Sequence, residues 1–205
     1  MILIYIIIPN LKLRINIFTI CVVMLLLYLE NPISVLLLLS AAFIHELGHF
    51  VAMKIFGAVI KRVDIEPFGA TIVFDSSKSS YRSELKVALG GPLLGLFTSG
   101  ACWLLFTYYP SPHLLLFLLA NLAFSVINLI PFSTLDGGLA LKSWLLSKYE
   151  LTQAEKIVKV ISLISVAILC ILSIMVLNAS GYNISLLALT AFQIVILFGN
   201  IISGI

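Results

Sequence analysis

The sequence predicts a membrane all-α protein of about six transmembrane helices, with a small membrane-associated β-hairpin between the second and third. Three observations carry that expectation. Hydrophobic residues make up 61% of the 205-residue chain and charged residues 10%, against roughly 45–50% and about 25% in soluble domains. The mean hydropathy is +1.19, so there are too few polar groups to cover a globular surface in water. The 12 Lys and Arg residues also gather at particular breaks between the apolar runs. The same numbers exclude disorder and a disulfide scaffold, and a formal net charge of +3 gives no ground for a nucleic-acid partner.

A membrane helix needs about 20 mostly apolar residues. Runs of that kind lie at 15–29, 32–56, 85–109, 112–130, 157–177 and 184–202. The first is short unless it recruits neighbours. The breaks carry turn chemistry: Glu30-Asn31-Pro32, Tyr109-Pro110-Ser111-Pro112 and Asn178-Ala179-Ser180-Gly181. Threaded this way, every Lys and Arg falls on one side. Lys12 and Arg14 precede the first span. Lys54, Lys61, Arg62, Lys78, Arg82 and Lys86 lie at or between the ends of the second and third, and Lys142, Lys148, Lys156 and Lys159 between the fourth and fifth. The positive-inside rule makes that side cytoplasmic. A multi-pass protein of the cell membrane with both termini in the cytoplasm follows, organised as a single domain over 1–205. Met1 to Ile8 has no basic residue before it and no small-residue cleavage site after it, so a cleaved leader is not expected.

Two stretches do not read as spans. Residues 59–74 hold β-branched and aromatic residues around Pro67-Phe68-Gly69, the pattern of a hairpin. Near a membrane its edges need a partner or protein cover. Residues 2–8 and 11–17, separated by Pro9-Asn10, fit either a second strand pair or a short interfacial helix. Cys21, Cys102 and Cys170 lie apart within apolar segments, as buried free thiols do.

Within the second span stands His45-Glu46-Leu47-Gly48-His49. Ionisable groups inside an apolar span are costly and tend to be functional. Positions i and i+4 share a helix face, so His45 and His49 can present two imidazoles to one metal ion. Glu46 can reach a water activated by that metal and act as general base. A catalytic zinc site takes a third protein ligand. Glu30 and His113 belong to the opposite end of the spans; Asp64, Glu66 and Asp75 belong to the hairpin; Glu84, Glu150 and Glu155 read as interfacial charges. Asp136 remains, in Pro131-Phe132-Ser133-Thr134-Leu135-Asp136-Gly137-Gly138, after the cytoplasmic end of the fourth span. Pro131 frees part of the helix ladder there, and the two glycines permit a sharp turn. A surface turn is the plain alternative for Asp136 taken alone.

The HExxH in a membrane helix, followed by Asn128, Pro131 and Leu135-Asp136-Gly137-Gly138, resembles the site-2 protease family of intramembrane zinc metalloproteases. The compact arrangement without a PDZ insertion is similar to the branch containing the stage IV sporulation protease that processes pro-sigma-K. The resemblance covers a core of residues 11–150. It implies zinc bound by His45, His49 and Asp136, Glu46 as catalytic base, and the 59–74 hairpin as the element that holds an extended substrate. It also lets Asn128 hydrogen-bond the substrate backbone or the developing oxyanion. Gly90-Gly91-Pro92-Leu93-Leu94-Gly95 matches the family's Gly-Pro element, with Gly95 where many relatives carry Asn; small residues there suit close helix packing. After the sixth span nothing resembles the nucleotide-sensing CBS domain of the sporulation relatives, so ATP-linked control is not expected.

Asn121 and Asn128, seven residues apart, share nearly one helix face, and interhelical hydrogen bonding is expected of Asn121. Ser99, Ser125 and Ser133 show no nucleophile context. The expected reaction is hydrolysis of a peptide bond in or near a transmembrane segment, on the cytoplasmic side. Its partners are a membrane-associated substrate, such as a pro-sigma or anti-sigma factor, and the lipid bilayer. The competing reading is a non-proteolytic zinc-binding membrane protein, either a transporter or a pseudoprotease that binds substrates without cutting them.

Overall fold

The computed structural model describes residues 3–8, 11–57, 60–66, 69–74, 80–180, 186–187, 190–191 and 193–195. The chain forms two compact units, Met1–Leu129 and Ile130–Ile205. The division falls one residue before Pro131.

The first unit joins a sheet to four helices. Its strands are β1 (Leu3–Ile8), β2 (Leu11–Asn16), β3 (Ile60–Glu66) and β4 (Gly69–Phe74), rich in the β-branched residues that suit a pleated surface. The spatial order is β1-β2-β3-β4. β1 and β2 pair antiparallel, as do β3 and β4, while β2 and β3 run parallel with Leu13 opposite Val63. A register shift between Ile60 and Arg62 leaves Lys61 as the extra residue of a bulge. β3 and β4 occupy the 59–74 stretch read as a hairpin, and beside the expected helices they join β1 and β2 in one four-stranded sheet. The turn residues Pro67-Phe68 and Pro9-Asn10 lie outside the described residues.

The helices of this unit are α1 (Ile17–Leu29), α2 (Pro32–Phe56), α3 (Tyr81–Tyr108) and α4 (Pro112–Asn128). Local chemistry sets their ends. Asn31 Oδ1 accepts from Ile33 N at 2.9 Å and Pro32 opens α2 with its fixed φ. Gly57 at φ 70° closes α2 in the left-handed region. Ser80 Oγ accepts from Ser83 N at 3.2 Å to start α3.

Among the described residues three helices are long and apolar enough to cross a membrane: Pro32–Phe56, Tyr81–Tyr108 and Leu151–Ser180. This corrects the six expected spans. The first loses Ile15 and Asn16 to β2, which leaves α1 with 13 residues, about 20 Å against a hydrocarbon core of about 30 Å. α4 stops at 17 residues because Pro131 lies just beyond. The sixth, 184–202, falls largely outside the described residues.

α2, α3 and α4 pack against one another, and the packing inverts that of a water-soluble core. Phe43, Ile55 and Phe97 are exposed while Ala41, Gly48, Gly91, Ser99 and Ser125 are buried. Large apolar side chains suit lipid, and small ones let helix backbones approach closely. Gly48 and Gly90 mark the closest approach. An ideal Cβ on Gly48 would stand 2.8 Å from the Gly90 carbonyl carbon, and one on Gly90 would stand 2.6 Å from Gly48 O.

The second unit contains α5 (Asp136–Leu146) and α6 (Leu151–Ser180). Phe132, fully buried, packs on Val166, and Leu145 packs with Ala154 and Val158. α5 was not among the expected helices. The turn before it is held by Leu135 N to Phe132 O at 2.9 Å, Gly138 N to Leu135 O at 3.0 Å and Ser133 N to Ser162 Oγ at 3.1 Å.

Candidate metal centre

His45 and His49 lie in the C-terminal half of α2, both buried. Their Nε2 atoms are 3.3 Å apart, with ring centroids at 4.9 Å and planes inclined by 79°. Two nitrogens each about 2.0–2.1 Å from one tetrahedral ion stand about 3.3 Å apart, so the pair already has the spacing of zinc ligands.

The neighbouring helix fixes the protonation of His49. Its Nδ1 lies 2.9 Å from Val87 O on α3. A carbonyl only accepts, so Nδ1 carries the hydrogen and Nε2 keeps its lone pair for a metal. Gly91 N lies farther from the same Nδ1, at 3.4 Å; two donors cannot bond each other, and the shorter contact decides. A backbone carbonyl behind a ligating imidazole orients the ring and raises its basicity. Sequence reasoning did not find Val87. Its side chain carries no chemistry, and the Gly-Pro element four to five residues on was its only signal.

Glu46, next in sequence to His45, is half-buried. Asp136 is the half-buried first residue of α5, where a carboxylate is favoured by the positive end of the helix dipole. Gly138 is buried at this turn, and a Cβ there would run into Phe132 O. The plain alternative of a surface turn at Asp136 gives way to a helix start. His45, His49 and Asp136 each offer one ligand atom, and two imidazoles with a carboxylate suit zinc.

Asn128 ends α4, partly buried, and donates from Nδ2 to Phe124 O at 2.9 Å. One N–H and the side-chain carbonyl remain beyond that bond. The interhelical bond expected of Asn121 is corrected: buried Asn121 donates from Nδ2 to Phe117 O of its own helix at 2.8 Å. The cross-helix bond comes from Ser99, whose Oγ donates to Leu118 O at 3.1 Å.

Comparison with known proteins gives the pair its context, because residues 33–115 match the model of Peptidase family M50. Under half of the chain is thus similar to peptidase family M50. The matched segment contains His45, Glu46 and His49 and ends before Asp136. Stage IV sporulation protein FB of Bacillus subtilis is 35% identical over 108 residues, 51% of this chain and 38% of that protein. The zinc metalloprotease MJ0392 of Methanocaldococcus jannaschii is 31% identical over 128 residues, 60% of this chain and 37% of that protein. The chain thus spans well under two thirds of the length of these relatives. Among solved structures, the site-2 protease from Methanocaldococcus jannaschii matches with a TM-score of 0.68 at 23% identity, over 94% of this chain and 92% of that one. The chain therefore has the fold of that site-2 protease.

Proposed function

We propose that this chain is an intramembrane zinc metalloendopeptidase, acting as one polytopic domain over both compact units. The observation that carries the proposal is the His45–His49 pair. Its Nε2 atoms stand 3.3 Å apart on a helix long enough to cross a membrane, and one ring is oriented by the Val87 carbonyl. His45, His49 and Asp136 would hold the ion. Zinc, when bound, supplies Lewis acidity that acidifies water towards a pKa of about 7 and polarises a carbonyl.

The remaining steps belong to the chain. Glu46 takes a proton from the attacking water as its oxygen bonds to the scissile carbonyl carbon. It then delivers that proton to the amide nitrogen as the C–N bond breaks. Asn128 donates its remaining N–H to the substrate backbone or to the developing oxyanion. A transmembrane helix resists cleavage while its carbonyls are hydrogen-bonded within the helix, so the substrate unwinds. An edge of the β1–β4 sheet holds it extended by strand addition.

In this reading the clustering of basic residues beside the metal-bearing end of α2 supports a site on the cytoplasmic side of the cell membrane, with both termini there as well. The substrate is a membrane-associated protein, and likeness to a sporulation protein favours a regulatory one of the pro-sigma or anti-sigma kind. The test uses purified protein reconstituted with single-span substrates. Glu46→Gln is expected to lose cleavage while keeping zinc and fold. Unchanged cleavage overturns the mechanism, and zinc flux without cleavage in the wild type supports a transporter instead.

A further inference from the structure

Both ligand imidazoles face a residue without a side chain. An ideal Cβ built on Gly91 of α3 falls against His49 Nε2, 2.8 Å from His45 Nε2 and 2.8 Å from His49 Cδ2. Gly91 is buried, in the helix that also supplies the Val87 carbonyl. Its neighbour Pro92 lacks an N–H, so the ladder of α3 is broken at this level. The Gly91 backbone has an ordinary negative φ, since the one described glycine with positive φ is Gly57. Backbone conformation therefore does not require glycine at 91. Space does.

We propose that Gly91 is a positioning residue of the metal centre: by having no side chain it keeps open the space in which the two Nε2 atoms converge on the ion. The proposal rests on the metalloprotease reading. It separates Gly91 from its neighbours by what a methyl would meet. On Gly48 or Gly90 the nearest obstacles include backbone atoms of the facing helix, so alanine there pushes α2 and α3 apart. On Gly91 the obstacles are the far ends of two imidazole rings. In the metal-free protein those rings swing aside, at the expense of the bond from His49 Nδ1 to Val87 O. In the loaded protein they cannot, because the atoms that must retreat are the atoms that hold zinc.

The experiment compares full-length wild type, Gly91→Ala and Gly90→Ala in detergent. Zinc affinity is measured by competition with a chromophoric chelator, the site by Co²⁺ d–d absorption, and the fold by melting of the metal-free protein. Gly91→Ala is expected to weaken zinc binding about 10–100-fold, to lose the tetrahedral Co²⁺ spectrum and to melt close to wild type. Gly90→Ala is expected to lower the melting temperature. Wild-type zinc affinity and Co²⁺ spectrum in Gly91→Ala overturn the proposal and leave the protease reading intact. A wild type that binds no zinc overturns both. Should Gly91→Ala melt early, the variant with both His45→Ala and His49→Ala supplies a second background. There both obstacles to the added methyl are gone, and adding Gly91→Ala should leave its melting temperature unchanged. An equal loss in both backgrounds overturns the proposal.

Discussion

Ser125 Oγ of α4 lies against Gly95 of α3, in the space the Cβ of any larger residue would need. Ser125 is fully buried and its hydroxyl donates to Asn121 O at 2.8 Å, which holds the oxygen in that position. The volume left by the missing side chain of Gly95 is thus filled from α4.

The pair predicts a specific coupling. Gly95→Ala alone overpacks the contact and is expected to lose about 1–3 kcal/mol. Ser125→Ala removes the oxygen, after which the same methyl sits 3.6 Å from the Cβ at position 125, an ordinary contact. The double variant should therefore recover most of the loss, measured by thermal denaturation in detergent. Additive losses would falsify the pairing.

Metal removal tests the centre without assaying cleavage. Binding to the native state alone stabilises by RT ln(1 + [L]/Kd), about 2.7 kcal/mol at 100 times Kd. Chelator should lower the melting temperature of the wild type and added zinc should restore it. His45→Ala and His49→Ala should show no response to either.

Asp136→Asn separates two roles of one carboxylate. As a ligand it should weaken zinc binding by at least about tenfold and abolish cleavage. As the first residue of α5, it should cost the metal-free protein only about 0.3–1 kcal/mol through the helix dipole. Calorimetric zinc titration and apo melting give the two numbers. A large apo loss with intact zinc affinity contradicts the assignment.

Gly138→Ala strikes backbone. Its methyl would run into Phe132 O, and that oxygen already accepts from Leu135 N at 2.9 Å. A loss above about 2 kcal/mol is expected, beyond a usual overpacking cost of about 1–3 kcal/mol only where the turn itself opens. The exposed pair Lys142–Glu155, 2.9 Å apart in the same unit, should by contrast change stability by less than about 1 kcal/mol on Glu155→Gln. Equal losses at the two sites would show that the turn before α5 is not rigid.

Much of this was legible in the sequence because the decisive signals are local. A spacing of four brings His45 and His49 to one face whatever the rest of the chain does. Asn31-Pro32 and Gly57 mark the ends of α2 by capping chemistry alone. What escaped was non-local. Val87 acts through its carbonyl and Gly91 through an absent side chain, and neither leaves a mark in composition. The bond expected of Asn121 comes from Ser99 because a carboxamide can satisfy itself on its own helix, as Asn121 does with Phe117. The start of α1 was misplaced because Ile15 pairs with Ile65, some fifty residues on, and Asn16 with Leu3 of β1, a competition that periodicity cannot see.

The parallel pairing of β2 with β3 has a consequence for how the first helices thread. β2 runs directly into α1, and β3 follows α2 after Gly57. Hydrogen bonds between Lys12–Ile15 and Arg62–Ile65 fasten the entry of α1 to the exit of α2. The sheet therefore brings the start of α1 and the end of α2 to one place, and that pairing can close only once both helices have been made.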